Sequence, residues 1–212
     1  MKATRALLVL AGLAGFVALE APAAVVITSG GKAIVTSPQA AVRPWEQWEF
    51  TAETGLLWRI RNNTPLDYVI APTSFVFHGP PHFTITEGEN GALVVRPRLA
   101  LLTETIIDGP ESYYLGFAAS PSLEWWLPGD RTSLFFSAGG GCGVVDSTDV
   151  VGGQGQDFTL NWFMELGVSH LLDNGWSILG DIFFQHNSNG GMTDPNPGID
   201  SLGFTLGAGF RF

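Results

Sequence analysis

Cysteine is almost missing from this chain, so no disulfide framework can hold it: the single Cys142 has no intramolecular partner. It sits among glycines in an apolar run and reads as a buried structural thiol rather than a reactive one. Charge is scarce too, at 14% of residues, where soluble domains average about 25%. Basic charge is scarcer than acidic, 10 residues against 20, which argues against nucleic acid as a partner. It also excludes electrostatic attraction to an anionic membrane surface as the means of placement. Past residue 24 no segment offers the ~18 uncharged apolar residues of a membrane helix, which excludes helical spans. There is no Gly-x-Ser-x-Gly elbow, no phosphate loop and no metal-ligand pair. No cofactor or metal ion is therefore expected.

The beginning of the chain reads as an address. Lys2 and Arg5 precede an apolar stretch from Ala6 to Leu19, and Ala21-Pro22-Ala23 supplies small residues for cleavage. Residues 1–23 are expected to be a secretory signal peptide, since about 14 apolar residues cannot cross a bilayer that needs ~20. Without Lys2, Arg5 and Glu20 the chain keeps 8 basic and 19 acidic residues, a net charge of −11. Residues 24–46 are expected to be an N-terminal periplasmic extension, and residues 47–212 one domain.

What fills that domain is alternation. From residue 201 onward, Leu202, Phe204, Leu206, Ala208, Phe210 and Phe212 alternate with Ser201, Gly203, Thr205, Gly207, Gly209 and Arg211. That is a strand period of two with one apolar and one small or polar face. Similar runs occupy residues 48–60, 93–102, 113–126, 132–144, 158–166 and 176–186, and residues 66–77 carry a fainter version. Asp173-Asn174-Gly175 and Pro128-Gly129-Asp130 mark tight turns between them. About eight strands, an even number, with a terminal phenylalanine suit an eight-stranded antiparallel outer-membrane β-barrel. A soluble β-sandwich accounts less well for the strand lengths and the scarcity of charge.

Trp45, Trp48, Trp58, Tyr113, Tyr114, Trp125, Trp126, Trp162 and Trp176 lie mostly near strand ends, as interfacial girdles require. Strand charges mostly take the polar face: Glu49, Glu53, Arg59, Arg96, Arg98, Glu165 and Asp181. An eight-stranded barrel is only wide enough to be filled by side chains, so these residues are expected to form a paired plug. The spacing of Glu49, Glu53 and Glu165 supports neither a glycosidase pair nor a metal site.

One hairpin departs from this scheme. His186 and Ser188 share a strand face, their Cα atoms ~6.5–7 Å apart. After a loop shaped by Pro195, Pro197 and Gly198, Asp200 opens the last strand. A base, a nucleophile and an acid thus meet at one tip, the three groups of a Ser-His-carboxylate hydrolase. By parity all three fall on the lipid-facing side, near the rim of the last two strands. A solute channel would turn its polar groups inward; an enzyme acting on a membrane lipid would place them here.

The run Phe184-Gln185-His186-Asn187-Ser188-Asn189-Gly190-Gly191, then Asn196-Pro197-Gly198-Ile199-Asp200, resembles the signature of the lipid A 3-O-deacylase (PagL-like, acyloxyacyl hydrolase) family. The close match covers roughly the last forty residues, the rest agreeing in architecture. The resemblance implies an eight-stranded barrel in the cell outer membrane that hydrolyses the 3-linked acyl ester of lipid A without a metal ion. It places the family's histidine, serine and acid on His186, Ser188 and Asp200, the last commonly a glutamate there. It places the motif asparagines on Asn189 and Asn196. With the backbone N–H groups of Asn189, Gly190 and Gly191, the Asn196 amide is the expected oxyanion and substrate-binding set.

Two function classes stay open at this point. One is a lipid A esterase with lipopolysaccharide as substrate. The other is a non-catalytic structural barrel that keeps the motif as hairpin chemistry. Which ester is cut, and whether the chain forms a homodimer, is left open by the sequence.

Overall fold

A computed structural model describes residues 42–60 and 67–212. The expected signal peptide and most of the expected extension therefore lie outside the described residues. Nine strands follow a short 3-10 turn, Pro44–Glu46: β1 (Glu49–Arg59), β2 (Val69–His78), β3 (Phe83–Gly88), β4 (Gly91–Asp108), β5 (Tyr113–Trp126), β6 (Thr132–Val145), β7 (Phe158–Leu171), β8 (Trp176–Ser188) and β9 (Ile199–Arg211).

Every pairing is antiparallel, and the order β2-β1-β9-β8-β7-β6-β5-β4 closes through a β2–β4 ladder. The closed wall is thus an eight-stranded barrel, and no hydrogen-bonding edge remains in it. β3 stands outside the closure, paired only with the first residues of β4 as a hairpin overhang. The alternation read from residue 201 onward is realised on β9. Leu202, Phe204 and Leu206 are exposed on the outside, while Ser201, Thr205 and Arg211 are buried inside. The last strand closes on the first in unbroken register from Glu49↔Arg211 to Arg59↔Ser201.

The interior is layered. Trp45 packs against Trp126, Ala92 and Val94 at the end of the barrel that carries the start of β1 and the end of β9. Above this floor lies a belt of buried charge. Arg96 reaches Glu49 and Glu124, both at 3.3 Å; Arg98 pairs with Glu165 and, at 3.5 Å, with Glu53; Arg211 meets Glu49 at 2.9 Å. The expected paired plug is therefore present for Glu49, Glu53, Arg96, Arg98 and Glu165, joined by Glu124 and Arg211. Asp181 is buried but accepts from Thr205, and Arg59 pairs instead with the exposed Asp67 at 2.8 Å. Beyond it an apolar layer that includes Leu57, Ile70, Val76, Leu102, Phe163 and Phe183 fills the barrel toward the opposite rim.

A belt of this kind stabilises only while complete, because removing one partner leaves charges buried without compensation. Arg98→Met is expected to lower stability by about 3–5 kcal/mol. Loss of the folded, fast-migrating gel band at a lower urea concentration than wild type measures it. An unchanged urea midpoint would mean that Glu53 and Glu165 find other partners.

Two expectations need correction. Cys142 is exposed on the outer wall of β6, because its place in the strand alternation turns the thiol outward. The aromatic girdle is also smaller than the sequence suggested. Trp48, Trp58, Tyr113, Trp125 and Trp162 are exposed on the outside, but Trp45, Tyr114 and Trp126 point inward and are buried. Tyr113-Tyr114 and Trp125-Trp126 are adjacent pairs, so strand alternation sends one member of each to either side.

Candidate active site

The site is built by one ladder. Antiparallel register sets His186 of β8 directly opposite Asp200 of β9. Side chains opposite one another on the same face stand ~4.5–5.5 Å apart at Cβ, within reach of a short acid. The Asp200 carboxylate accordingly meets His186 Nδ1 at 2.8 Å. Two residues farther along β8, Ser188 lies on the same face, and its Oγ is 3.0 Å from His186 Nε2. An ionised carboxylate can only accept, so Nδ1–H donates to Asp200, and Nε2 is left to accept the Ser188 hydroxyl proton. The hydroxyl, imidazole and carboxylate form one hydrogen-bonded line. Asp200, shorter by one methylene than the glutamate of the resembled signature, still reaches the ring.

The three side chains follow the outward parity of Ile178, Ile182, Leu202 and Phe204, all exposed on the outer wall. Within that parity they differ in depth. The His186 side chain is 24% exposed and Asp200 only 3%, so the acid is shielded while the base stays accessible. Ile60, just past β1, donates its N–H to the Asp200 carbonyl and brings the first strand's end alongside the acid. On the other flank Trp162, opposite His186 on β7, sets its ring 5.8 Å from the imidazole and 4.8 Å from Phe184. That aromatic wall was not singled out from the sequence, where nothing ties residue 162 to residue 186.

The loop after Ser188 is organised by Asn189. Its side chain is fully buried, with Nδ2 donating to the carbonyls of Gln154 (2.6 Å), Thr193 (2.8 Å) and Pro195 (3.2 Å). Its Oδ1 accepts the Gly191 N–H at 2.8 Å, and its own N–H donates to Asn196 Oδ1 at 3.0 Å. The amide N–H groups of Asn189 and Gly191 are therefore spent within the loop. Of the four residues expected around an oxyanion, Gly190 and Asn196 offer the N–H and the side-chain NH2 that no described contact uses. Gly190 and Gly191 both take positive φ, 67° and 77°, which other residues adopt only with strain. Asn196 is exposed, as a group that meets substrate must be.

The interior carboxylates Glu49, Glu53 and Glu165 lie in the charged belt on the inner face of the wall, not on the outward face that carries this hairpin's triad. Among the described residues no cluster of His, Cys, Asp and Glu has the arrangement of a metal site.

The family model for lipid A 3-O-deacylase (PagL) matches residues 38–208. Among solved structures, a crystal structure of the outer membrane enzyme PagL aligns with a TM-score of 0.51 at 20% identity, over 75% of this chain and 97% of that one. At that identity the likeness speaks for the fold. No curated protein matches the chain.

Proposed function

The chain belongs to the lipid A 3-O-deacylase (PagL) family, and from that premise we propose that it hydrolyses the 3-O-linked hydroxyacyl ester of lipid A in the outer membrane, with Ser188 as nucleophile, His186 as base and Asp200 as the orienting acid. The observation that carries the reading is the Ser188–His186–Asp200 line on the outward face of the wall.

The wall has a direction. Its connections after β1, β4, β6 and β8 lie at the end with the hairpin, and two of them run through residues 146–157 and 189–198. The opposite end has the short turns at 127–131 and 172–175 and the 79–90 connection, which is itself folded as the β3 hairpin overhang. Bacterial barrels keep short turns in the periplasm and longer loops outside, so the hairpin faces the lipopolysaccharide leaflet.

In the reaction Ser188 Oγ attacks the acyl carbonyl carbon while His186 Nε2 takes its proton. Asp200 holds the ring in the required tautomer and stabilises the imidazolium. The negative charge that builds on the carbonyl oxygen is met by Gly190 N–H and the Asn196 side-chain amide. As the carbon–oxygen bond to the sugar breaks, His186 returns the proton to the departing sugar hydroxyl. A water molecule, deprotonated by the same ring, then attacks the acyl-serine, releases the hydroxy fatty acid and restores Ser188.

Mass spectrometry of lipid A from cells with and without the protein tests the activity. Loss of one hydroxyacyl mass supports it, and unchanged lipid A favours a structural barrel. Asn196→Ala tests the oxyanion assignment. The variant should keep its heat-modifiable gel shift and lose about 10²–10³ in kcat, with KM little changed. A rise in KM at constant kcat would make Asn196 a ground-state contact instead.

A further inference from the structure

Every connection at the hairpin end of the barrel sends a polar side chain into one buried chain of hydrogen bonds, and that chain ends beside Ser188. Tyr68, just before β2, donates its hydroxyl to Glu111 Oε2 at 2.7 Å. Glu111, between β4 and β5, accepts on its other oxygen from Ser147 Oγ at 2.9 Å and from the Gln154 N–H at 3.2 Å. Ser147 and Gln154 belong to the connection between β6 and β7 and are also bonded to each other. Gln154 passes the link on twice. Its carbonyl accepts from Asn189 Nδ2 at 2.6 Å, and its side-chain oxygen accepts from Thr159 Oγ1 at 3.4 Å. Thr159 in turn contacts the carbonyl of Ser188 at 3.0 Å.

All six residues are buried: Ser147, Thr159 and Asn189 at 0% exposure, Tyr68 and Gln154 at 1%, Glu111 at 3%. A buried carboxylate is costly unless its oxygens are satisfied, and Glu111 is satisfied by donors from two other connections. It ties loops that share no backbone ladder. Burial, with Glu111 as acceptor, pushes the Tyr68 phenol well above its usual range, so it stays protonated and remains a donor.

We propose that Glu111 is a positioning residue for the deacylation, the hub that sets the hairpin 189–198, and with it Ser188, Gly190 and Asn196, at reacting geometry. The proposal rests on the reading of Ser188 as nucleophile. Glu111 touches neither substrate nor the reacting atoms. It acts through Gln154 on Thr159, which holds the Ser188 carbonyl, and on Asn189, which holds the loop that follows. Misplacing a reacting group by about 1 Å can cost on the order of 10²-fold in rate while leaving substrate binding alone.

The test uses the full-length protein and lipid A in mixed micelles, comparing wild type, Glu111→Ala, Glu111→Gln, Thr159→Val and Ser188→Ala. Heat-modifiable mobility reports on the barrel, kcat and KM on the reaction, and hydrogen exchange on the amides of residues 189–191. Glu111→Ala should keep the mobility shift, lose at least tenfold in kcat with KM within twofold, and lose protection at Asn189 and Gly191. Glu111→Gln should recover most of the rate, since an amide oxygen can still accept from Ser147 and Gln154. Thr159→Val, which removes one hydroxyl from the end of the chain, should lower kcat in the same direction if Glu111→Ala does not fold. Wild-type kcat in folded Glu111→Ala, or a change confined to KM, overturns the proposal. Wild type no more active than Ser188→Ala would overturn the catalytic reading, and the exchange data would still decide whether Glu111 sets the hairpin.

Discussion

Ser188→Ala is expected to abolish deacylation while leaving the barrel folded. Among the described residues the hydroxyl has one side-chain hydrogen-bond partner, His186 Nε2, and its removal leaves a small gap on a half-exposed face. Folding should therefore be indifferent, and the heat-dependent gel shift of the variant should match wild type. The chemistry should not be. Without a nucleophile no acyl-enzyme forms, and losses on the order of 10⁶ in kcat accompany this change in serine hydrolases. Cells carrying the variant should show lipid A with its full complement of acyl chains. Deacylation at the wild-type rate would remove the nucleophile and the mechanism with it.

The next largest effect belongs to Asp200→Asn. The carboxylate accepts from His186 Nδ1–H at 2.8 Å and so keeps Nε2 free to take the serine proton. An amide in its place can donate to Nδ1 and shift the ring proton to Nε2, which then points a hydrogen at Ser188. Loss of this partner costs about 10⁴-fold in serine proteases, and a fall of that order in kcat is expected here. Asp200→Glu should retain far more activity than Asp200→Asn, because it keeps an acceptor-only group. The added methylene must enter a position 2% exposed, so some loss from crowding accompanies it. Turnover in the Asn variant equal to wild type would take the acid out of the reaction.

The architecture was legible where alternation was long. β9 and β5 read cleanly because each side of the wall imposes one chemistry over more than ten residues. β2 was faint because Pro72 and the run Phe75-Val76-Phe77 blur the period. β3 went unread: it is six residues long, exposed throughout, and pairs only with the start of β4. Parity alone carried His186, Ser188 and Asp200 to one face, since they sit on two consecutive strands joined by the 189–198 hairpin loop. Parity said nothing about Tyr68, Glu111, Ser147 and Gln154. Their meeting depends on barrel closure, and no local pattern links residue 68 to residue 189. The same limit explains Asn189. As a motif asparagine it looked like a substrate contact, but its amide is fully used inside the loop.

The outward-facing hairpin changes what concentration means for this protein. A cleft open to water meets its substrate in three dimensions, at a rate set by molarity. His186 and Ser188 lie on the side of a cylinder embedded in a sheet of lipid, so encounters happen within the plane. The governing quantity is the mole fraction of acylated lipid among its neighbours, and diluting the vesicles in buffer leaves it untouched. Diluting the substrate with inert lipid or detergent lowers it directly. Packing of the leaflet then acts as a rate control, because in the proposed reaction a lipid must turn its ester toward Ser188 before any proton moves.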